Sequence, residues 1–196
     1  IDQNAFDKIF RLQDSQISAR FKDLVSEVPV DILQITADII SHARSVLPHK
    51  LSEGLYVTLA DHLHFALQRQ QNNELLPNPL EWEVRHFYTK EYAIGRQALG
   101  MVVARTGKLL PDGEACSIAL HIVNAGLNDT MGKTTQITRL IYQLQNIVKY
   151  FFNIPLDEHS LNYQRFITHL KFFAQRVIDG VVLNNDDDEF FALVQR

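Results

Sequence analysis

One stretch of this chain recurs further along it, in the same frame and without a gap. The copies run from Tyr56 to Arg69 and from Tyr163 to Arg176, an offset of 107 residues. Six identities recur in them, namely Tyr, His, Leu, Phe, Gln and Arg, and the same offset pairs Pro48 with Pro155. Self-similarity at a fixed period indicates that one structural unit occurs twice. The sequence therefore predicts two similar domains.

Helical periodicity runs through both copies and through the segments between them. Phe21, Leu24 and Val25 have the i, i+3, i+4 spacing of an amphipathic helix, and no alternating strand pattern competes. Further helices are predicted after Pro29 and near 55–70, 80–88, 91–106, 112–125, 134–153 and 160–178. The predicted fold is all-α, with two tandem helical bundles over residues 15–130 and 131–196. The second bundle is expected to be incomplete, and residues 1–14 are expected to end another module.

Composition limits the partners that this chain can have. Its formal net charge is −4, and no Lys/Arg cluster is longer than a pair, so direct contact with nucleic acid is not expected. The single Cys116 rules out an intramolecular disulfide and, without a secretion signal, fits a cytoplasmic location. No apolar run approaches the roughly 20 residues that span a bilayer. No insertion into a membrane is predicted.

Three of the eight histidines occupy comparable positions on the predicted helices. His62 and His169 correspond to each other in the repeat, and His121 stands in a similar apolar setting. Helical spacing places His62 and His121 at the edge of an apolar stripe, where a ring is held but reachable. Such an imidazole can accept a phosphoryl group near neutral pH. A partly buried core histidine that satisfies a backbone carbonyl fits these positions as well, and this alternative stays open.

Other chemistries fit the chain poorly. His62 and His64 are two positions apart and point to different faces of a helix, and no zinc-binding pattern occurs. No metal or cofactor is therefore predicted. Cys116 lies in an apolar stretch, and neither a nucleophile motif nor a glycine-rich phosphate loop is present, so the chain is not expected to be an enzyme.

Four charged residues are candidates to support the histidines. Asp61 and Glu114 are candidates to orient neighbouring imidazoles. Asp61, however, projects about 100° from His62 around the helix, and a solvated residue or an inter-domain partner fits it equally well. Arg69 and Arg176 each follow a histidine of the repeat by two turns, roughly 10 Å along the axis. That distance suits a docking protein better than a phosphate bound directly.

Four short motifs, in this order, resemble those of the phosphotransferase regulation domains (PRDs) of BglG/LicT-type transcriptional antiterminators. They are LADHLHFA at 59–66, EYAIGRQAL at 91–99, IALHIVNA at 118–125 and THLKF at 168–172. The resemblance implies helical bundles that form homodimers and carry two phosphorylatable histidines each. His62 and His121 match the pair of the first PRD, and His169 matches the first histidine of the second. The other histidine of that PRD is expected near residue 230.

The family resemblance also implies a function. Phosphorylation of the first PRD by the sugar-specific enzyme II permease inactivates such proteins, and phosphorylation of the second by HPr activates them. The dimer lets an N-terminal RNA-binding domain hold an antiterminator hairpin, and residues 1–11 resemble the end of that domain. The chain is thus expected to be a regulatory region of an antiterminator. A DNA-binding activator that carries PRDs, or a phosphotransfer relay, are the alternatives.

Overall fold

The computed structural model describes residues 24, 26–74, 76–127, 130–158 and 160–181. Seven helices and no strand occur in this part of the chain, which confirms the all-α prediction. The helices are α1 (Val30–Val46), α2 (Gly54–Gln71), α3 (Glu81–Phe87), α4 (Thr89–Thr106), α5 (Gly113–Leu127), α6 (Met131–Phe151) and α7 (Leu161–Asp179). The predicted end of another module at residues 1–14 lies outside the described residues, and so do Phe21 and Val25.

The chain divides into two compact units between Thr134 and Thr135. The first unit contains α1 to α5 and the start of α6, whereas the second contains the rest of α6 and α7. The predicted boundary between residues 130 and 131 and the incompleteness of the second bundle stay predictions. No described helix is long and apolar enough to cross a membrane.

Local sequence explains where α1 begins and which face it buries. Pro29 precedes the first turn, where the missing N–H of a proline costs no helical hydrogen bond. Asp31 in the first turn and Arg44 in the last complement the helix dipole. The buried side chains of α1 are Ile32, Leu33, Ile35, Thr36, Ile39, Ile40 and Ala43. Their spacing forms one continuous stripe that faces the core of the first unit.

Helices α1, α2, α4 and α5 of the first unit enclose an apolar core. In it, α4 packs against α1 and α5, and α2 packs against the same two helices. Gly95 permits a close approach of α4 to α5, because a Cβ atom there would lie 2.1 Å from the backbone oxygen of Ala115. At its end, α4 stops at Gly107, whose φ of 69° is left-handed. This packing places the start of α5 beside α2.

The repeated tyrosines have matching roles in the two units. Tyr56 on α2 donates its hydroxyl hydrogen to the backbone oxygen of Leu33 on α1, at 2.7 Å. In the second unit, Tyr163 on α7 donates to Oε1 of Gln145 on α6, at 3.1 Å. Each tyrosine is buried and ties its helix to the preceding one. The sequence repeat therefore corresponds to a repeated structural contact.

Candidate functional site

His62 lies on α2 at the edge of the core of the first unit. Leu59 and Ala66, about one turn before and after it, are buried, whereas 17% of the His62 side chain remains exposed. The helical periodicity explains this placement, since residues three and four apart share a face. The ring is held on one side and open to solvent on the other.

Glu114, in the first turn of α5, engages both of its carboxylate oxygens. Oε2 lies 2.8 Å from Nε2 of His62, and Oε1 accepts a hydrogen bond from Nη2 of Arg69 at 2.9 Å. Only 9% of the Glu114 side chain is exposed. A buried carboxylate is costly unless it is paired and hydrogen-bonded, and here both α2 partners satisfy it. The contact between α2 and α5 thus contains a His62–Glu114–Arg69 network.

The ionisation state of Glu114 decides how His62 is protonated. Burial by itself would raise the pKa of Glu114, but the hydrogen bonds and positive charges of His62 and Arg69 hold that pKa below its ordinary value. An ionised carboxylate only accepts hydrogen bonds, so Nε2 of His62 must carry the hydrogen and donate it. When the ring is neutral, Nδ1 of His62 keeps its lone pair.

His121 on α5 completes the group. Its ring centroid lies 4.8 Å from that of His62, with the two planes tilted by 45°. Nδ1 of His121 is buried and has no hydrogen-bond partner among the described residues. Burial, and then the positive charge of His62, lower the pKa of His121 to about 3, against a smaller opposing effect of Glu114. His121 is therefore neutral at physiological pH. At most one of the two rings then carries a positive charge.

The arrangement can hold and present an imidazole, and it does not resemble a metal site. Among the described residues, no three His, Cys, Asp or Glu side chains are placed to bind a metal ion together. Cys116 is buried on α5, and burial raises the pKa of its thiol to about 11. A thiol of that kind is a poor nucleophile at neutral pH.

Comparison with known proteins identifies the family. The PRD domain family matches residues 37–125 and 142–194. Transcription antiterminator LicT of Bacillus subtilis (strain 168) is 44% identical over 188 residues, which cover 96% of this chain and 68% of LicT. The chain belongs to the BglG/LicT family of transcriptional antiterminators. It is the PRD regulatory region of a LicT-like antiterminator, as its four motifs predicted.

Two further relatives agree with this assignment. The beta-glucoside operon antiterminator of Dickeya chrysanthemi is 40% identical over 189 residues, which cover 96% of this chain and 67% of that protein. The crystal structure of GlcT CAT-PRDI is similar with a TM-score of 0.59 and 35% identity, covering 64% of this chain and 75% of that one. Transcription antitermination, rather than DNA-binding activation or enzymatic phosphotransfer, is the activity of this family.

The PRD region brings together some of the predicted site residues and not others. His62, His121 and Arg69 meet in the first unit. Asp61 is exposed, and Glu114 instead makes the contact with the imidazole of His62. His169 and Arg176 lie on α7 in the second unit, and both are exposed.

Two features of the site differ from what the sequence predicts. Spacing along α2 places Arg69 two turns beyond His62, but its long side chain reaches the same carboxylate that His62 contacts. The sequence offers Asp61 and Glu114 equally as partners of an imidazole, whereas in the structure Glu114 makes that contact. A usable signal was present, because Glu114 precedes His121 by seven residues, a spacing that puts both on one side of a helix.

Proposed function

We propose that phosphorylation of His62 and His121 controls this PRD region, and that His169 is a further phosphate acceptor in the second unit. The proposal makes the chain a sugar-responsive switch in a cytoplasmic antiterminator. The observation that carries it is the pairing of the two rings at 4.8 Å, beside a buried carboxylate and with His62 partly exposed. Two histidines from separate motifs of the family thus meet at one place, where His62 is partly exposed.

Electrostatics supplies the mechanism of the switch. A phosphate adds a charge of about −1.5 to −2, by analogy with phosphoserine, and several strong acceptor oxygens. In the first unit that charge arrives next to the carboxylate of Glu114, which Arg69 already neutralises in part. Repulsion and the competition for Arg69 then disfavour the present contact between α2 and α5. Phosphorylation is thereby coupled to helix packing.

The packing change has to reach the RNA-binding part of the protein. We infer that it does so through a homodimer, in which the PRDs set the distance or orientation of two N-terminal RNA-binding domains on an antiterminator hairpin. Under this proposal the sugar-specific enzyme II permease phosphorylates the first PRD and HPr the second. Absence of the sugar then inactivates the protein through His62 and His121.

Reconstitution of the phosphate chain tests the proposal. The chain is incubated with phosphoenolpyruvate, enzyme I and HPr, with and without the permease domain, and phosphohistidine is located by mass spectrometry. Stable phosphate at His62, His121 or His169 is expected, with no onward transfer to a sugar. His62→Ala and His121→Ala should each lose one site, and His42→Ala, a half-buried histidine on α1, should lose none. Catalytic turnover of the phosphate, or no label on these histidines, would reject the regulatory switch.

A further inference from the structure

The hydrogen bonds in the first unit distinguish the two nitrogens of His62. Nε2 lies 2.8 Å from the buried carboxylate of Glu114, and the second carboxylate oxygen is held by Arg69 at 2.9 Å. The carboxylate accepts only, so the hydrogen of neutral His62 stays on Nε2 and the lone pair stays on Nδ1. The two nitrogens are therefore not equivalent as nucleophiles.

His121 differs from His62 in the access to its Nδ1 atom. Its Nδ1 is buried without a partner among the described residues, so a phosphoryl donor does not reach that atom in this arrangement. A buried N–H without an acceptor is rarer and costlier than a buried lone pair without a donor. The favoured tautomer of His121 consequently carries its hydrogen on Nε2. In His121, Nδ1 is therefore out of reach of a phosphoryl donor, and Nε2 has no lone pair with which to attack phosphorus.

We propose that Nδ1 of His62 is the first phosphate acceptor of this site, and that His121 accepts phosphate only after the His62–Glu114–Arg69 network has opened. This inference rests on the proposed function and adds to it the acceptor atom and the order of the two sites. In chemical terms, phosphate on His62 is the Nδ1 isomer of phosphohistidine.

Phosphoryl transfer to Nδ1 of His62 requires no movement of a proton. The lone pair of Nδ1 attacks phosphorus, and the bond from phosphorus to the leaving atom of the donor breaks, with its electron pair remaining on the donor. The ring then holds phosphorus on Nδ1 and hydrogen on Nε2, and its positive charge faces Glu114. Attack by Nε2 would first require that nitrogen to lose its hydrogen and its charge-assisted hydrogen bond.

A small donor tests the acceptor atom without any docking protein. The full chain is treated with phosphoramidate, which releases ammonia on transfer, and in parallel with phosphoenolpyruvate, enzyme I, HPr and the permease domain. Mass spectrometry follows the peptides of His62 and His121 over time, and isomer-specific antibodies or phosphorus NMR distinguish the Nδ1 isomer from the Nε2 isomer. His62 should be labelled first, with about a tenfold or greater excess of the Nδ1 isomer, since hydrogen bonds to charged groups favour one tautomer by that order.

Three variants show whether Glu114 causes the preference. In Glu114→Gln the amide can donate or accept a hydrogen bond. The ratio of the Nδ1 isomer to the Nε2 isomer should therefore fall towards one. Arg69→Gln keeps the carboxylate and should keep the Nδ1 isomer, as should the exposed control Glu27→Gln. Circular dichroism confirms that each variant is folded, and the isomer ratio of the unaltered chain remains decisive if Glu114→Gln unfolds.

The outcomes separate this inference from the function on which it rests. A dominant Nε2 isomer at His62, or labelling of His121 as early as His62, overturns the acceptor assignment while phosphohistidine still supports the switch. No label on any histidine of the chain from fully phosphorylated HPr and permease overturns both. Early Nδ1 phosphate on His62 that depends on Glu114 supports both.

Discussion

The imidazole rings of His62 and His121 lie 4.8 Å apart, although 59 residues separate them in the chain. The packing of α2 against α5 brings them together, and Glu114 belongs to the same contact. Glu114 contacts His62 and Arg69, and burial keeps the neighbouring His121 neutral by lowering its pKa to about 3. A charge added to either ring therefore alters the contact between two core helices.

Replacement of either histidine by alanine should free the full-length protein from its dependence on sugar. Alanine cannot accept phosphate, so the first PRD no longer receives the inhibitory charge. We expect His62→Ala and His121→Ala each to give antitermination without the inducing sugar, measured with a reporter gene placed behind the terminator. His42→Ala should remain sugar-dependent. A reporter that still requires the sugar in both site mutants would show that these histidines do not carry the inhibitory phosphate.

The pair of Arg69 and Glu114 should be coupled more strongly than an exposed ion pair. Its carboxylate is only 9% exposed, and hydrogen bonds to charged groups contribute about 1.5–3 kcal/mol. A double-mutant cycle of Arg69→Met and Glu114→Gln, measured by urea denaturation at pH 7, should give a coupling energy in that range. The comparison pair, Arg105 and Asp38, is 39% and 42% exposed and should give less than about 1 kcal/mol. Equal coupling in the two cycles would contradict this account.

Two glycines of α4 should respond to alanine with opposite signs. At Gly95 a Cβ atom would lie 2.1 Å from the backbone oxygen of Ala115, so α4 and α5 would have to separate. We expect Gly95→Ala to lower the free energy of unfolding by about 1–3 kcal/mol or more. At Gly100 nothing lies within 4 Å, and alanine should raise it by roughly 0.5–1 kcal/mol. Chemical denaturation measures both, and a Gly95→Ala variant as stable as Gly100→Ala would refute the close contact.

Much of the fold was readable because helical periodicity is local. Spacing alone predicts a helix near 91–106, and α4 spans Thr89–Thr106. The stop at Gly107 needs no tertiary information either, because its φ of 69° is a conformation that glycine adopts at little cost. Likewise, the repeat alone indicates His62, because His169 occupies the same position in the second copy.

The residues that form the site are harder to predict from the sequence, because they depend on which helices pack together. Asp61 is next to His62 in sequence, whereas Glu114 is 52 residues away and reaches the ring only through the packing of α2 on α5. Spacing along α2 also predicts that Arg69 lies apart from His62. That spacing gives the rise between Cα atoms but not the reach of a flexible side chain. Helix-to-helix contacts of this kind are not encoded in local periodicity.

Acid should destabilise the first unit through His121. Its pKa is lowered from 6.5 to about 3 in the folded chain, so the folded state binds fewer protons than the unfolded state between those values. The resulting stabilisation is fully present above pH 6.5 and is lost as the pH falls towards 3. The pKa of Glu114 lies below 4.5, so protonation of Glu114 reduces the free energy of unfolding only at lower pH. The change between pH 7 and pH 5 therefore reports on His121.

The measurement is urea denaturation at pH 7 and pH 5. Relative to His121→Gln, which lacks the titrating group, the unaltered chain should lose about 2 kcal/mol more of its free energy of unfolding over this range. His169→Gln, at an exposed position of α7, should lose as much as the unaltered chain. If His121→Gln showed the same loss as the other two proteins, burial of a neutral His121 could not be the cause of the acid sensitivity.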